Sequence, residues 1–502
     1  MSLSRRRLFR VAAGGLLVPA VAGCGGLSMG GGNTETESSA GALLVSGARL
    51  PAPFRVPLPV PPVLRPLRTA GGVDSYEVTQ RAARVEILPG TRTTIWGYEG
   101  VFPGPTIVSR RGRRTVVRHH NALPVPTVVH LHGGRTPAEH DGYPTDTVAP
   151  GGSREYRYPV EQRAATLWYH DHRLDFTGPQ VWRGLAGFHL VHDDEEDALP
   201  LPRGDRDVPL MVADRSFGAD GALAYPALDP SLTGMPGVRA EFMSGVLGDC
   251  ILVNGAPWPT MEVSAVRYRF RLLNASNARR YELALDPPPP DGRAFVQVGG
   301  DQGLLPAPIG HDTLRIAQAE RFDVVVDFSR YSVGQRVTLV NRLGSGGTAR
   351  VMRFVVARRG HDDSHVPERL AEYRPLGVSE AVRRREFTFR RGGPEHHGVT
   401  PWTVDGHLFD PDRMAAEPEL GTVELWRLHA QNVPHPVHVH LAPFQVRNAD
   451  RYSRGWKDTV DLSSGDAVEV LLRFDGYRGR YVFHCHNLEH EDMMMMANFR
   501  VR

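Results

Sequence analysis

Ten of the 22 histidines fall into four short clusters. His130 and His132 stand in VVHLHGG, His170 and His172 in WYHDH, His435, His438 and His440 in HPVHVH, and His484, His486 and His490 in HCHNLEHEDMMMM. In a strand, residues i and i+2 share a face and lie roughly 6–7 Å apart, so each HxH pair presents two imidazoles side by side to a metal ion. One such pair is as compatible with packing as with ligation, but four in one chain are hard to explain as packing. Cys485 adds geometry: if His484 and His486 face one way, Cys485 faces the other, and one strand touches two different sites. A thiolate with two imidazoles and a weak thioether is the blue-copper electron-transfer set, and Cys485, His435 and His490 supply its first three members. Zinc in a Cys/His site usually brings a second cysteine or closes a tetrahedron, and would leave the other clustered histidines unexplained.

The rest of the chain must position these groups. Short β-rich runs recur between Gly, Pro, Asn and Asp: RTVVRHHNAL, VRYRFRLLNAS, RFDVVVDFS, RVTLVN, AVEVLLRFD and GRYVFHCH. No sustained helical period competes with them, and their density predicts an all-β protein of sandwiches. Tyr268, Phe270 and Leu272 alternate with Arg267, Arg269 and Arg271, which predicts a half-buried strand. A length of 502 residues suggests about three domains. The acidic run DDEEDALPLP (193–202) and the charged segment RRGHDDSHVPER (358–369) read as linkers, giving domains over 73–195, 196–365 and 366–502.

The N-terminus reads as an address. Ser4 to Phe9 (SRRRLF) resembles a twin-arginine export signal, Val11 to Gly23 is an apolar run too short to span a bilayer, and VAGC resembles the box that directs lipid to Cys24. Residues 1–24 are therefore expected to be a signal and 25–72 a flexible, proline-rich tether whose stretch PAPFRVPLPVPPVLRPL drapes over a domain. The expected product is exported, extracytoplasmic, monomeric and held at the cell surface as a lipoprotein, or otherwise secreted. A net charge of +3, from 59 basic and 56 acidic residues scattered together, offers no continuous basic face for nucleic acid. With only Cys24, Cys250 and Cys485, the chain is not a disulfide scaffold, and Cys250 is expected to pack as a small hydrophobe.

The motifs HLHG, WYHDH, HPVHVH and HCHNLEHEDMMMM, in that order, resemble those of the multicopper oxidases. The stretches WGYEGVFPGPTI, ILVNGAPWPTMEV, RFRLLNASNAR, GGDQGLLP, AERFDVVVDFS and GWKDTV are similar to the laccase and bilirubin oxidase branch of that family, and the likeness covers nearly all of the chain after about residue 73. The resemblance implies three consecutive cupredoxin-like Greek-key domains and four coppers. It implies His435, Cys485 and His490 as type 1 ligands, with Met495 as the axial thioether, and His130 and His438 at the type 2 copper. His132, His170, His172, His440, His484 and His486 would hold the type 3 pair. Electrons would pass from type 1 copper through Cys485 to His484 or His486, and four of them would reduce dioxygen to two waters. Asp141 in HDGYP and Glu491 match the acidic positions of proton delivery. The implied reductant is a phenol or aminophenol, with Cu(I), Mn(II) or Fe(II) as the alternative. A methionine-rich insert, frequent in cuprous oxidases, is absent apart from the tail. The short RNADRYSR before GWKDTV implies a more open approach to the type 1 site. Among the remaining histidines, His119, His120, His189, His192, His396 and His397 are expected to be structural or exposed, and His140 stands beside Asp141.

Overall fold

Runs of β-branched and aromatic residues lose little in an extended backbone and gain cross-strand packing, and they form the strands here. The structure, a computed structural model, describes residues 39–502. The twin-arginine run, the apolar segment and Cys24 lie outside the described residues. The helices among the described residues are short, the α-helical ones being Thr177–Trp182, Asp194–Asp197 and Leu488–Asp492. No helix of the described residues is long and apolar enough to cross a membrane.

Three large apolar clusters each lie between two sheets. The first contains Tyr98, Val117, Tyr156 and Leu167, the second Trp258, Phe270, Leu283 and Phe354, and the third Trp426, Phe474, Phe483 and Cys485. The histidine-bearing strands come from the first and last of these. Val129–His132 pairs antiparallel with Ala165–Asp171, setting His130 opposite His170. His435–Val439 lies between Thr459–Leu462 and Gly479–Cys485, setting His438 opposite His484 and Val437 opposite Cys485. The chain then turns through Leu488–Asp492 and returns as Met496–Val501 beside Gly479–Cys485.

Arg267–Asn274 departs from its sequence reading. It is an interior strand of the large central sheet and is buried on both faces: Tyr268, Phe270 and Leu272 pack in an apolar cluster, and Glu196 and Thr166 cover Arg269 and Arg271 on the other side. Arg271 and Arg269 keep their charge there by pairing with carboxylates: Glu196 (3.1 Å and 2.6 Å), Asp207 (2.8 Å to Arg271) and Asp323. A buried ion is tolerated only with such partners. Glu196 lies in the acidic run 193–202 expected to be a linker. It is 4% exposed, because the arginines and His192 draw it inward. Residues 360–377, inside and just after the second predicted linker, carry no strand or helix.

The described part of the expected tether is bound. Ala42–Leu44 pairs parallel with Val246–Gly248, and Phe54 and Leu58 donate backbone N–H bonds to Trp258 (2.8 Å) and Thr260 (2.8 Å). Leu64 does the same to Thr106 (2.8 Å), so the proline-rich stretch is extended and draped as its composition predicts. Cys250 is a free, buried thiol within a strand.

Candidate metal centre

Cys485 is fully buried at the end of Gly479–Cys485, and the short helix after it folds His490 back over the sulfur. His435 Nδ1 lies 3.5 Å from Cys485 Sγ, His490 Nδ1 3.6 Å from it, and the two nitrogens are 3.1 Å apart. His435 Nε2–H donates to the Gln431 carbonyl (3.1 Å), which turns Nδ1 toward the sulfur. Trp402 stacks on His490 at 4.0 Å and closes that side. The four consecutive methionines divide: Met493 and Met495 pack in the apolar cluster with Cys485, whereas Met494 and Met496 pack with Tyr143, Phe409 and Val482. Positive φ at Met494 (83°) makes the turn between them. Cys485 N–H donates to the Met495 carbonyl (3.1 Å), which holds the two residues' backbones side by side.

On the other face of the same strand, eight imidazoles converge. The Nε2 atoms of His172 and His440 each lie 3.3 Å from His484 Nε2. His130 stacks on His440 (3.8 Å) and His132 on His438 (3.6 Å), while His486 sits against His132 (5.1 Å) and His170 (5.4 Å). His130 Nε2, His438 Nε2, His170 Nε2, His132 Nδ1 and both nitrogens of His486 are buried without a hydrogen-bond partner. Buried polar atoms are rarely left so, and lone pairs converging on one void are what a cluster of metal ions requires.

The outward nitrogens are held. His130 Nδ1–H donates to the Asp141 carbonyl (2.6 Å), His438 Nδ1–H to the Asp458 carbonyl (2.8 Å) and His170 Nδ1–H to the Asp171 carbonyl (2.8 Å). His440 Nδ1 lies 2.6 Å from Asp141 Oδ2, and Glu491 reaches His172 Nδ1 (3.3 Å) and His484 Nδ1 (3.1 Å) with its two oxygens. The bonds to the Asp141, Asp458 and Asp171 carbonyls, that between His440 and the Asp141 carboxyl, and that from His484 Nδ1–H to the Cys485 carbonyl (3.1 Å) fix ring orientation and tautomer, while Glu491 stands at ion-pair distance from His172 and His484. Burial pushes His170 and His435 down to about 3 and His172 to about 4, which favours their neutral, ligating form. Burial also pushes the Cys485 thiol up, so a metal there must displace its proton. The two acids differ. Burial lifts Asp141; it would lift Glu491 too, but attraction to a proton carried by His172 or His484 lowers the Glu491 carboxyl.

Ten histidines and Cys485, eleven of the twelve residues expected from the sequence to be ligands, lie together with both acids in two adjoining groups, and Met495 packs in the apolar cluster that contains Cys485. Sequence reasoning missed Asp458. Its Oδ1 lies 3.1 Å from His132 Nε2, turning His132 Nδ1 inward, and Arg321 (2.8 Å) and Gln302 (2.6 Å) hold the carboxylate. Its signal was GWKDTV, a stretch noticed as a whole and not for its aspartate. His119 among Tyr98, Tyr156 and Tyr169, and His189 on Ser109 (2.7 Å), are structural as expected.

Family models described as multicopper oxidase match residues 79–196 and 381–502. The chain is 36% identical to a laccase of Bacillus subtilis (strain 168), over 88% of this chain and 96% of the relative. It is 37% identical to a bilirubin oxidase of Albifimbria verrucaria, over 89% of this chain and 81% of the relative. The crystal structure of a laccase from Pediococcus acidilactici Pa5930 covers 91% of this chain and 96% of its own, with 32% identity and a TM-score of 0.80. The sheet pairs are cupredoxin-like β-sandwiches of the kind found in that fold.

Proposed function

The chain belongs to the multicopper oxidase family, copper-dependent oxidoreductases that use dioxygen, and from that premise we propose a laccase-type activity on phenols or aminophenols. The observation that carries the reading is the position of Cys485 between His484 and His486: one strand end belongs to a buried thiolate–imidazole set on one face and an eight-imidazole set on the other. We assign His435, Cys485, His490 and Met495 to a type 1 copper, His130 and His438 to a type 2 copper, and His132, His170, His172, His440, His484 and His486 to a type 3 pair, four coppers in all. Copper bound there supplies one-electron oxidation at the thiolate set and reduction of dioxygen to water at the histidine set.

The chain's own groups do the rest. Cys485 gives the two sets a covalent connection one residue long in each direction. Trp402 excludes water from His490. Glu491, ionised between His172 Nδ1 and His484 Nδ1, and Asp141, on His440 Nδ1, are the groups that hold and pass protons to the histidine set. The proposed domain limits are 73–195, 196–365 and 366–502, with the first and third holding all the ligands. The N-terminal sequence supports export with a lipid anchor at Cys24, and separately the protein is proposed to be a monomer.

Dioxygen uptake by the copper-loaded mature protein tests the activity, with a methoxyphenol and an aminophenol in one series and Cu(I), Fe(II) and Mn(II) in another. Faster uptake on the aromatics is expected. Faster uptake on the metal ions would make the protein a metallo-oxidase.

A further inference from the structure

Between Glu37 and Asp74 the chain carries four arginines and no acidic residue. The described part of this strap is held extended by its backbone bonds to Trp258, Thr260 and Thr106, which leaves an outward edge to solvent. Five of the nine large apolar side chains exposed among the described residues stand on it: Leu43, Val45, Val60, Val63 and Leu67. Exposed apolar residues scattered singly need no explanation, but five gathered on one strap mark an interaction surface. Val60, Val63 and Leu67 are 56%, 61% and 70% exposed, and Arg65 and Arg68 beside them are exposed too. Leu67 N–H donates to the Ser75 carbonyl (2.8 Å) and Arg114 N–H to the Gly72 carbonyl (3.0 Å), which brings the turn 111–114 to the same corner. Arg113 is spent on Asp74 (2.7 Å) and Arg110 on Asp197 (2.6 Å) and Asp194. Arg65, Arg68, Arg111 and Arg114 make no ion pair among the described residues.

Guanidinium groups interleaved with projecting apolar side chains match the headgroup layer of an anionic bilayer, where phosphates meet the first and the acyl boundary takes the second. A soluble polyanion would use the arginines alone. Only residues 25–38 separate Cys24 from Ser39, a reach of at most about 50 Å, so a lipid on Cys24 would hold this surface near such a bilayer. We propose that Val60, Val63 and Leu67, with Arg65, Arg68 and Arg114, form a docking surface for an anionic phospholipid bilayer. The assignment goes beyond the oxidase reading and rests on the export reading of the N-terminus.

Cosedimentation of the copper-loaded mature protein with vesicles tests this. Because a lipid at Cys24 would enter any vesicle, the protein is made without it. Vesicles of phosphatidylglycerol and phosphatidylcholine in equal parts are expected to bind it about tenfold more tightly, or better, than phosphatidylcholine alone. Two triple variants, Val60→Ser with Val63→Ser and Leu67→Ser, and Arg65→Gln with Arg68→Gln and Arg114→Gln, are each expected to weaken binding about tenfold or more. Their copper content and dioxygen uptake should stay at the wild-type level. Val382→Ser, which removes an apolar side chain that is 68% exposed outside the strap, is expected to leave binding unchanged. Equal wild-type binding to the two vesicles, or full affinity in either triple variant, would overturn the assignment. Loss in the arginine variant alone would make the corner a polyanion site, and a dimer in sedimentation velocity that the apolar variant abolishes, without vesicle binding, would make it a contact between copies. Failure of the export reading is separate: mass spectrometry of the exported protein would then find no lipid on Cys24, whatever the vesicles give.

Discussion

Glu491 is placed to serve two histidines at once, since its two oxygens meet His172 Nδ1 and His484 Nδ1. Glu491→Gln keeps the shape but replaces one acceptor oxygen with a donor and removes the carboxylate. The variant is expected to keep its blue absorption while reoxidation by dioxygen slows on the order of 100-fold, read by stopped-flow after anaerobic reduction. Unchanged reoxidation would take Glu491 out of proton delivery. Asp458 acts one step further out, through His132 Nε2 and, by its carbonyl, His438 Nδ1. Asp458→Asn leaves the carbonyl in place but weakens the hold on His132 and strands Arg321. Copper affinity of the histidine set is expected to fall about 10–100-fold, measured by chelator competition, with the blue band unchanged. An equal loss at both sites would show that Asp458 supports the fold and not the metal centre.

Among the elements, the strand Arg267–Asn274 and the short helix Asp194–Asp197 depend on each other through Glu196. Burial alone would raise the Glu196 carboxyl, yet Arg271, Arg269 and His192 hold it well below the usual carboxylate range. A depressed folded pKa contributes stability that is full above the unfolded value, about 4.3, and is lost as the pH falls through that value toward the folded one. Glu196→Ala leaves two buried guanidinium groups short of a partner. It is expected to destabilise the protein by about 3–5 kcal/mol near neutral pH in chemical denaturation, and by less as the pH is lowered below about 4. A loss that does not shrink in acid would assign the effect to packing. This pairing also marks where sequence reading stops. The strand was legible from its alternation, but alternation cannot tell a solvated arginine from one that meets a carboxylate 73 residues away in sequence, as Arg269 does. The histidine clusters were legible because ligation imposes both residue type and spacing within a few positions. Asp458 was not, because its role is defined by His132, 326 residues distant. The division of the four methionines needed the turn at Met494, which no spacing argument supplies.

For the whole molecule, the proposed ligands come from two segments far apart in sequence, so metal would tie Val129–His132 and Ala165–Asp171 to the segment from His435 onward. Copper removal is expected to lower the melting temperature on the order of 10 °C, since ligands that bind only the native state stabilise it. Copper returned to the apo protein should restore it, and an unchanged transition would mean that metal and fold are uncoupled. The central claim is that one strand end serves two copper sites, and Cys485→Ser tests it most directly by copper count and visible spectrum together. The wild type is expected to hold four coppers per chain and absorb intensely in the visible, and the variant to hold three and lose that band along with oxidase activity. A wild type that binds a single copper, or a variant that stays blue, would contradict it.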